Sequence, residues 1–299
     1  MLLLTGATGQ VGTALLRRLT ADGRPVRALV RDPRRLGPER VRVQIALGDL
    51  TDPPSFRNAL RGVKTVVHLA ASSRDQPRGS IEELNGIATW RLVQAAERAG
   101  VEHFVFFSAL SASVHDRTRF LRAKALAEEA VRESGLQHTI FAPSLVYSPG
   151  DRHLSLLEWL SWLPAVPVPG RARAQFQPIW AEDVADCVMA ALGSGRNGAN
   201  GTHTMRRHEL AGPDTLDHMA VAELVLRAAG REKPLLGIPE RLTRASLKTL
   251  EALMKSKAPA TWDEAELLQV SMTSAHGTAD AEALGVHPRP MAAVLGTTA

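Results

Sequence analysis

Three glycines stand at i, i+3 and i+6 in the run Thr5-Gly6-Ala7-Thr8-Gly9-Gln10-Val11-Gly12. The run lies between the apolar Leu2-Leu3-Leu4 and the amphipathic stretch Thr13-Ala-Leu-Leu-Arg-Arg-Leu. Strand, glycine turn and helix therefore follow one another in the order that a pyrophosphate cradle requires. In that order Gly6 permits the tight turn, Gly9 lets backbone approach a phosphate, and Gly12 lets the helix lie close on the sheet. The N–H groups that open the helix face the anion, so the phosphate-binding set read from this run is Gly6, Thr8, Gly9, Gln10, Val11 and Gly12.

About 20 residues further on, a dinucleotide site usually places an acid that binds the adenosine ribose hydroxyls. Here the second strand ends in Val30-Arg31-Asp32. A guanidinium suits a 2′-phosphate in bidentate geometry. Arg31, aided by Arg34 or Arg35, thus argues for NADP(H) over NAD(H), although Asp32, one residue late, could still serve a ribose.

These residues need a scaffold, and the first 140 residues alternate β-rich runs with amphipathic stretches, the signature of βαβ units feeding a parallel sheet. Strands are expected at Leu2–Leu4, Pro25–Val30, Val43–Leu47, Thr65–Leu69, His103–Phe107 and Gln137–Phe141. Helices are expected at Val11–Thr20, Pro54–Leu60, Ile81–Ala99 and Thr118–Glu133, with Gly23 and Gly100 closing the first and third. Six strands with right-handed crossovers give an α/β, Rossmann-type doubly wound sheet. Beyond Pro143 the pattern breaks into prolines, tryptophans and short elements. Helices then resume at Glu182–Leu192, Leu216–Ala229, Pro239–Lys255 and Asp263–Gln269. We therefore expect a nucleotide-binding core over 1–150 and a smaller, mostly helical substrate lobe over 151–299, with 176–192 returning to the core. The glycine-rich 193–201 reads as a surface turn.

Composition narrows the classes. With 44% hydrophobic and 22% charged residues among 299, the chain is an ordinary globule, not a disordered or disulfide-built one. Its one cysteine, Cys187, lies in an apolar run and reads as helix core. The ten histidines show no metal-ligand spacing, so no metal is expected. Residues 1–150 hold 21 basic and 14 acidic side chains and the remainder 15 and 17, so the positive charge sits in the first half. Without interleaved aromatics or a helix-turn-helix pattern this does not read as nucleic-acid binding; a phosphate-bearing small molecule accounts for it. The start Met1-Leu-Leu-Leu-Thr-Gly lacks a basic n-region and the apolar stretch of a secretory signal, and the expectation is a cytoplasmic protein.

The chain resembles the extended and atypical short-chain dehydrogenase/reductases, particularly the NmrA-like branch and relatives of the NADPH-binding accessory subunit of respiratory complex I. The resemblance rests on the glycine run, Gly48-Asp49-Leu50, His68-Leu-Ala70-Ala71, Asn85, Ala142-Pro143-Ser144-Leu-Val-Tyr147, Pro178-Ile-Trp-Ala-Glu-Asp183 and Leu284-Gly-Val-His-Pro-Arg-Pro290. It implies that Asp49 and Leu50 hold the adenine, that Ala70, Ala71 and Pro143 line the cofactor, and that Tyr147 belongs to a substrate-side loop.

Active members of that family carry a Ser or Thr after the fifth strand and a Tyr-x-x-x-Lys on the next helix. This chain reads Phe120-Leu-Arg-Ala-Lys124, and Leu110 takes the usual place of the hydroxyl. Phenylalanine has no proton to give. Lys124 remains, one turn from Phe120 and on the same face, as a cofactor-binding and candidate catalytic residue. Ser108 and Ser111 are candidate donors, poor ones without an adjacent base. A proton would otherwise come from water, the substrate, His153 or Tyr147.

Trp159, Trp162 and Trp180 put bulky apolar groups where such proteins build a substrate pocket, and a quinone would suit that lining. Tyr147, His153, Trp159 and Trp180 are the candidate substrate residues. Pro239–Lys255 is amphipathic with basic residues between its leucines; the ordinary reading packs it on its own domain, the other faces it to a membrane or a partner. Two functions fit. One is an NADPH-dependent oxidoreductase of an apolar carbonyl or quinone that dispenses with the tyrosine. The other is a non-catalytic NADP(H)-binding sensor or assembly subunit, whose partner is a protein.

Overall fold

In the computed structural model, which describes residues 1–169, 174–194, 206–254 and 258–297, the order begins β1 (Leu2–Thr5), α1 (Gln10–Ala21), β2 (Val26–Val30), β3 (Gln44–Leu47), α2 (Pro53–Phe56) and β4 (Thr65–His68). It continues with α3 (Ala88–Arg98), β5 (His103–Phe107), α4 (Arg119–Arg132), β6 (Gln137–Pro143), β7 (Val146–Tyr147), α5 (Arg152–Leu160), β8 (Val166–Pro169), β9 (Gln175–Phe176) and β10 (Ile179–Trp180). The remainder is α6 (Ala181–Ser194), β11 (Arg206–Leu210), β12 (Leu216–Asp217), α7 (His218–Ala228), β13 (Leu235–Ile238), α8 (Glu240–Met254), α9 (Trp262–Leu267), α10 (Ala279–Ala283) and α11 (Met291–Leu295).

Seven strands form one parallel sheet in the order β11-β6-β5-β4-β1-β2-β3. This is the doubly wound arrangement, whose order reverses between β1 and β4. The sheet has one strand more than the six expected. β11 reads Arg-Arg-His-Glu-Leu and lies at the edge, paired only with β6, so it does not need an apolar run on both faces. Arg207 bridges Glu209 at 2.7 Å and Glu128 of α4 at 3.2 Å. The expected turn at 193–201 falls almost wholly outside the described residues.

Alternation along the strands divides the core in two. Leu2, Leu4, Ala28, Val30, Val67 and Phe141 face α1 and α6, whereas Leu3, Leu29, Val66, Phe104, Phe106 and Ile140 face α3 and α4. Cys187 of α6 is buried in the first half, where burial pushes its thiol up to about 12. Arg18 fastens α1 to α6 through Asp186, Nε to Oδ1 at 2.6 Å. Gly23 and Gly100 follow their helices in the left-handed conformation, φ +64° and +71°.

The long helix expected over Ile81–Ala99 is interrupted by a π turn at Glu83–Ile87. The cause is Asn85, whose Nδ2 takes the Ile81 carbonyl at 2.7 Å, a carbonyl on which an uninterrupted α-helix would end a backbone bond. A separate cluster of Tyr147, Leu154, Leu157, Val166, Val168, Val221, Val225 and Met291 joins β7, α5, β8, α7 and α11. α8 sets Leu247 and Leu250 half-buried against the protein but leaves Leu242 and Leu253 exposed. No helix among the described residues is long and apolar enough to cross a membrane.

Candidate functional site

The C-terminal ends of β1, β4, β5 and β6 converge on one crevice edge, beside the reversal of strand order. Gly6 turns there at φ +71°, and a Cβ on it would stand 2.6 Å from the Ala70 nitrogen. A Cβ on Gly12 would stand 2.1 Å from the Gly6 carbonyl oxygen. Both glycines are therefore demanded by backbone approaching backbone. Gly9 caps α1 with no side chain over the end of the helix, and Gly9 and Gln10 are exposed while Thr8 and Val11 are half-buried. The opening N–H groups of a twelve-residue helix are left without a side-chain cap beside a glycine-rich turn, which fits a pyrophosphate.

Arg31 and Asp49 meet at the ends of β2 and β3. The Gly48 N–H donates to Val30 O at 3.2 Å, and a Cβ on Gly48 would collide with Leu29 and Ser55. Burial pushes the Asp49 carboxyl up, but the Thr51 N–H and hydroxyl, Arg78 at 3.2 Å and the charge of Arg31 more than offset this and hold it below its usual value. An ionised Asp49 beside an exposed Arg31 is one arrangement that takes a ribose and its phosphate. Leu50 is half-buried against the sheet face that holds Leu29.

Between the glycine turn and α3 runs a buried polar chain. Thr5 Oγ1 lies 2.7 Å from His68 Nδ1, and His68 Nε2 lies 2.9 Å from Thr89 Oγ1. The Thr89 hydroxyl donates to Asn85 O, so His68 must donate from Nε2 and accept at Nδ1. Burial, with the charge of Lys124 adding to it, lowers the His68 pKa to about 3. Asn85 ties the β4 loop to this chain through Ser72, donating to its carbonyl at 2.8 Å and accepting from its N–H at 3.1 Å. Ala70 and Ala71 are thus fixed directly below the cradle.

The neutral His68 carries a pH prediction. Between its native pKa of about 3 and the ordinary 6.5, the unfolded chain binds a proton that the native protein refuses. Stability therefore rises with pH across that window and is lost as pH falls. Urea midpoints measured from pH 7 down to pH 4 should drop more steeply for the unmodified protein than for His68→Gln, and parallel slopes would refute the neutral imidazole.

Lys124 is buried, and its Nζ donates to Phe107 O at 2.6 Å. The rings of Phe106 and Phe120 flank the same nitrogen, with centroids at 5.1 Å and 5.8 Å. Burial lowers its pKa from 10.5 to about 7. Ser108, next along the chain, is buried with its hydroxyl unpartnered. Leu110 is closed into an apolar cluster with Ala174, Phe176 and Met272, its N–H on Pro143 O at 3.0 Å. Ser111 adopts φ +65° and donates to Ser271 O at 2.7 Å. Lys124 and Ser108 thus meet at the end of β5, Pro143 is tied to Leu110 two residues on, and the Phe120 ring lies beside the lysine nitrogen.

The candidate substrate residues are more scattered. Tyr147 is buried with its hydroxyl unpartnered, and burial raises its pKa. His153 stacks on His218, with centroids 5.3 Å apart, and each has an unpartnered ring nitrogen. Trp180 lies under the Arg289 guanidinium at 4.1 Å. Trp159 is exposed on the outer side of α5, so its ring adds nothing to an enclosed lining.

Three features have no local signal in the sequence. His218 reads as an ordinary helix start after its cap, Asp217. Arg74 is buried against Glu264, Nε to Oε1 at 2.7 Å, and against Ala258 O at 2.8 Å. Arg119 reaches Asp75 at 3.0 Å and Asp263 at 3.6 Å. These arginines hold α9 over the loop after β4 and the start of α4, where Phe120 sits. The partners are 144 to 190 residues apart, except Asp75.

A model of a family described as NAD(P)H-binding matches residues 6–195. Sterol demethylase protein B of Methylococcus capsulatus is 32% identical over 80% of this chain and 78% of its own length. The (4-alkanoyl-5-oxo-2,5-dihydrofuran-3-yl)methyl phosphate reductase of Streptomyces griseus is 32% identical over 77% and 74%. The mitochondrial NADH dehydrogenase [ubiquinone] 1 alpha subcomplex subunit 9 of Arabidopsis thaliana is 29% identical over 74% of this chain and 56% of its own. Among solved structures, the NADPH-dependent quinone oxidoreductase QOR2 of Escherichia coli, complexed with NADPH, superposes with a TM-score of 0.73 at 18% identity, covering 99% of both chains.

Proposed function

This chain belongs to the NAD(P)H-binding family, and from that premise we propose that it is an NADPH-dependent reductase whose acceptor is an apolar carbonyl or, better, a quinone. The family and the reductase among its relatives support a reductase-like protein that binds NAD(P)H. The finer reading rests on the residues. The observation that carries it is Phe120 packed beside the buried Lys124, so that no phenol stands next to that nitrogen.

The helix α1 N–H groups and the bare glycine cradle receive the pyrophosphate, and Arg31 pairs with a 2′-phosphate. Asp49 and Leu50 border the adenine side, while Ala70, Ala71 and Pro143 line the wall below. Lys124, fixed on Phe107 O, presents its remaining N–H groups to ribose hydroxyls. NADPH, when bound there, supplies the hydride. Phe120 and Leu110 present no acid, which suits an acceptor whose reduced oxygen is a weak base and takes its proton from solvent. A quinone meets that condition, whereas an ordinary ketone does not.

A second reading, a redox sensor or assembly subunit that binds NADP(H) without turnover, is favoured by Leu110, whose side chain is sealed in apolar contact where the family has its hydroxyl. One experiment separates the two. The protein is titrated with NADPH and NADH, and bound NADPH absorbance is followed as quinones and aldehydes are added. Acceptor-dependent oxidation by quinones, with aldehydes inert, is the expected result; tight binding with no oxidation by any acceptor selects the sensor. In the same titration Arg31→Asp should weaken NADPH at least tenfold relative to NADH, since a charge-assisted pair is worth about 1.5–3 kcal/mol. Equal affinity of the unmodified protein for both cofactors would remove the role given to Arg31.

A further inference from the structure

α8 is an unusual helix for a globular surface. Leu242, Ala245, Thr249 and Leu253 stand at i, i+3, i+7 and i+11, which share one face, and all four are exposed. Leu242 is 62% and Leu253 78% accessible. No charge interrupts this face. Its hydroxyls are also turned inward, Thr249 Oγ1 onto Ala245 O at 2.9 Å and Ser246 Oγ onto Thr243 O at 3.0 Å. The opposite side, with Thr243, Leu247 and Leu250, rests on the protein.

The apolar face continues past the start of the helix. β13 leads into α8, and its Leu236 is 57% exposed. Pro234 O, just before β13, accepts from Val166 N at 2.9 Å. Arg231 lies over the Trp162 ring at 3.7 Å. Trp162 and Trp159, at the end of α5, are 76% and 65% exposed, with Leu163 beside them. Exposed apolar side chains thus stand at the end of α5, on β13 and along α8, and β13 is joined to the segment after α5 by its pairing with β8.

Its rim is basic. Arg241 and Lys248 flank the helix face and Lys233 precedes β13, all three exposed. Arg244 is drawn aside toward the Trp262 ring at 5.2 Å. Among the described side chains the exposed acids are Glu158 and Glu232, at the tryptophan end; Glu251 is turned inward, accepting from the Trp262 N–H. Projecting leucines, tryptophans at the margin and lysine or arginine along the flank are the chemistry of a helix that lies in a bilayer interface.

We propose that α8, β13 and the end of α5 form a docking surface for an anionic phospholipid bilayer. Leu242 and Leu253 enter the acyl boundary, Trp159 and Trp162 sit at headgroup depth, and Arg241 and Lys248 face the anionic headgroups. Charge favours this occupant, because Arg241 and Lys248 line α8 on one flank while the exposed acids Glu158 and Glu232 lie away from it at the tryptophan end. The surface stands independently of the reductase reading.

The test is flotation of the NADPH-bound protein with vesicles of phosphatidylcholine alone and of phosphatidylcholine with phosphatidylglycerol. Binding should be confined largely to the anionic vesicles and weaken as salt rises. Arg241→Gln with Lys248→Gln should reduce it about 30-fold, taking about fivefold per charge. Leu242→Ser with Leu253→Ser should reduce it at least tenfold in any salt. All four positions are remote from the cradle, so NADPH affinity should not change and reports that the variants are folded. Absence of binding to anionic vesicles overturns the proposal. So does binding indifferent to both pairs, or sedimentation showing a dimer that the leucine pair dissociates.

Discussion

Gly12→Ala should abolish cofactor binding, weakening NADPH at least 100-fold, and should destabilise the protein by about 2 kcal/mol or more. The added methyl would lie 2.1 Å from the Gly6 carbonyl oxygen, and that neighbour is backbone. No rotamer change relieves it; α1 must lift from the turn, and overpacking of this kind costs about 1–3 kcal/mol before any function is counted. Lifting the helix also removes its N–H groups from the cradle, so affinity should fall further than stability. Gly23→Ala is the matched control, because Gly23 has φ +64° and nothing within 4 Å of its would-be Cβ. It should cost about 1–2 kcal/mol for the left-handed backbone and leave NADPH affinity intact. Titration calorimetry with urea unfolding on both variants decides the matter. If Gly12→Ala binds NADPH as tightly as the unmodified protein, the cradle is not the phosphate site.

The glycine turn was readable because backbone geometry writes itself into sequence as glycine. The strands β1, β2, β4, β5 and β6 were readable because both faces of a parallel sheet are buried and most of their residues are apolar. β11 was not, since an edge strand can be charged and still complete the ladder. Asn85 was visible as a residue but not as the cause of a π turn, which depends on where its amide finds a carbonyl. The polar chain Thr5–His68–Thr89 joins three elements, and only the fold shows that it ends on the Asn85 carbonyl without a charge. The clamp of Arg74 on Glu264 bridges 190 residues and leaves no spacing to detect. The ordinary expectation for the α8 stretch, a helix resting on its own domain, describes one of its sides; exposure of Leu242 and Leu253 is a property of what packs nearby, which periodicity alone does not contain.

Phe120→Tyr should convert the site into a carbonyl reductase, raising aldehyde or ketone reduction by about 10²-fold or more, the usual worth of a positioned acid. The reason lies in what already surrounds the ring. Lys124 is in place, buried, with its nitrogen 5.8 Å from the Phe120 centroid, so a phenol introduced there gains a cationic neighbour that lowers its pKa. The buried Ser108 hydroxyl has no partner to lose. Leu110→Ser, the other departure from the family, is the poorer substitution, since Leu110 is packed with Phe176 and Met272 and emptying such a position costs about 2–5 kcal/mol. Quinone reduction should be nearly unchanged by Phe120→Tyr because it never used an acid. The gained carbonyl activity should decline as pH rises through the titration of Lys124, whose pKa burial has brought to about 7, and Lys124→Met should erase it. A tyrosine variant that binds NADPH normally yet reduces neither aldehydes nor ketones faster would mean that position 120 does not face the reacting carbon, and would leave the binding module as the better account of the site.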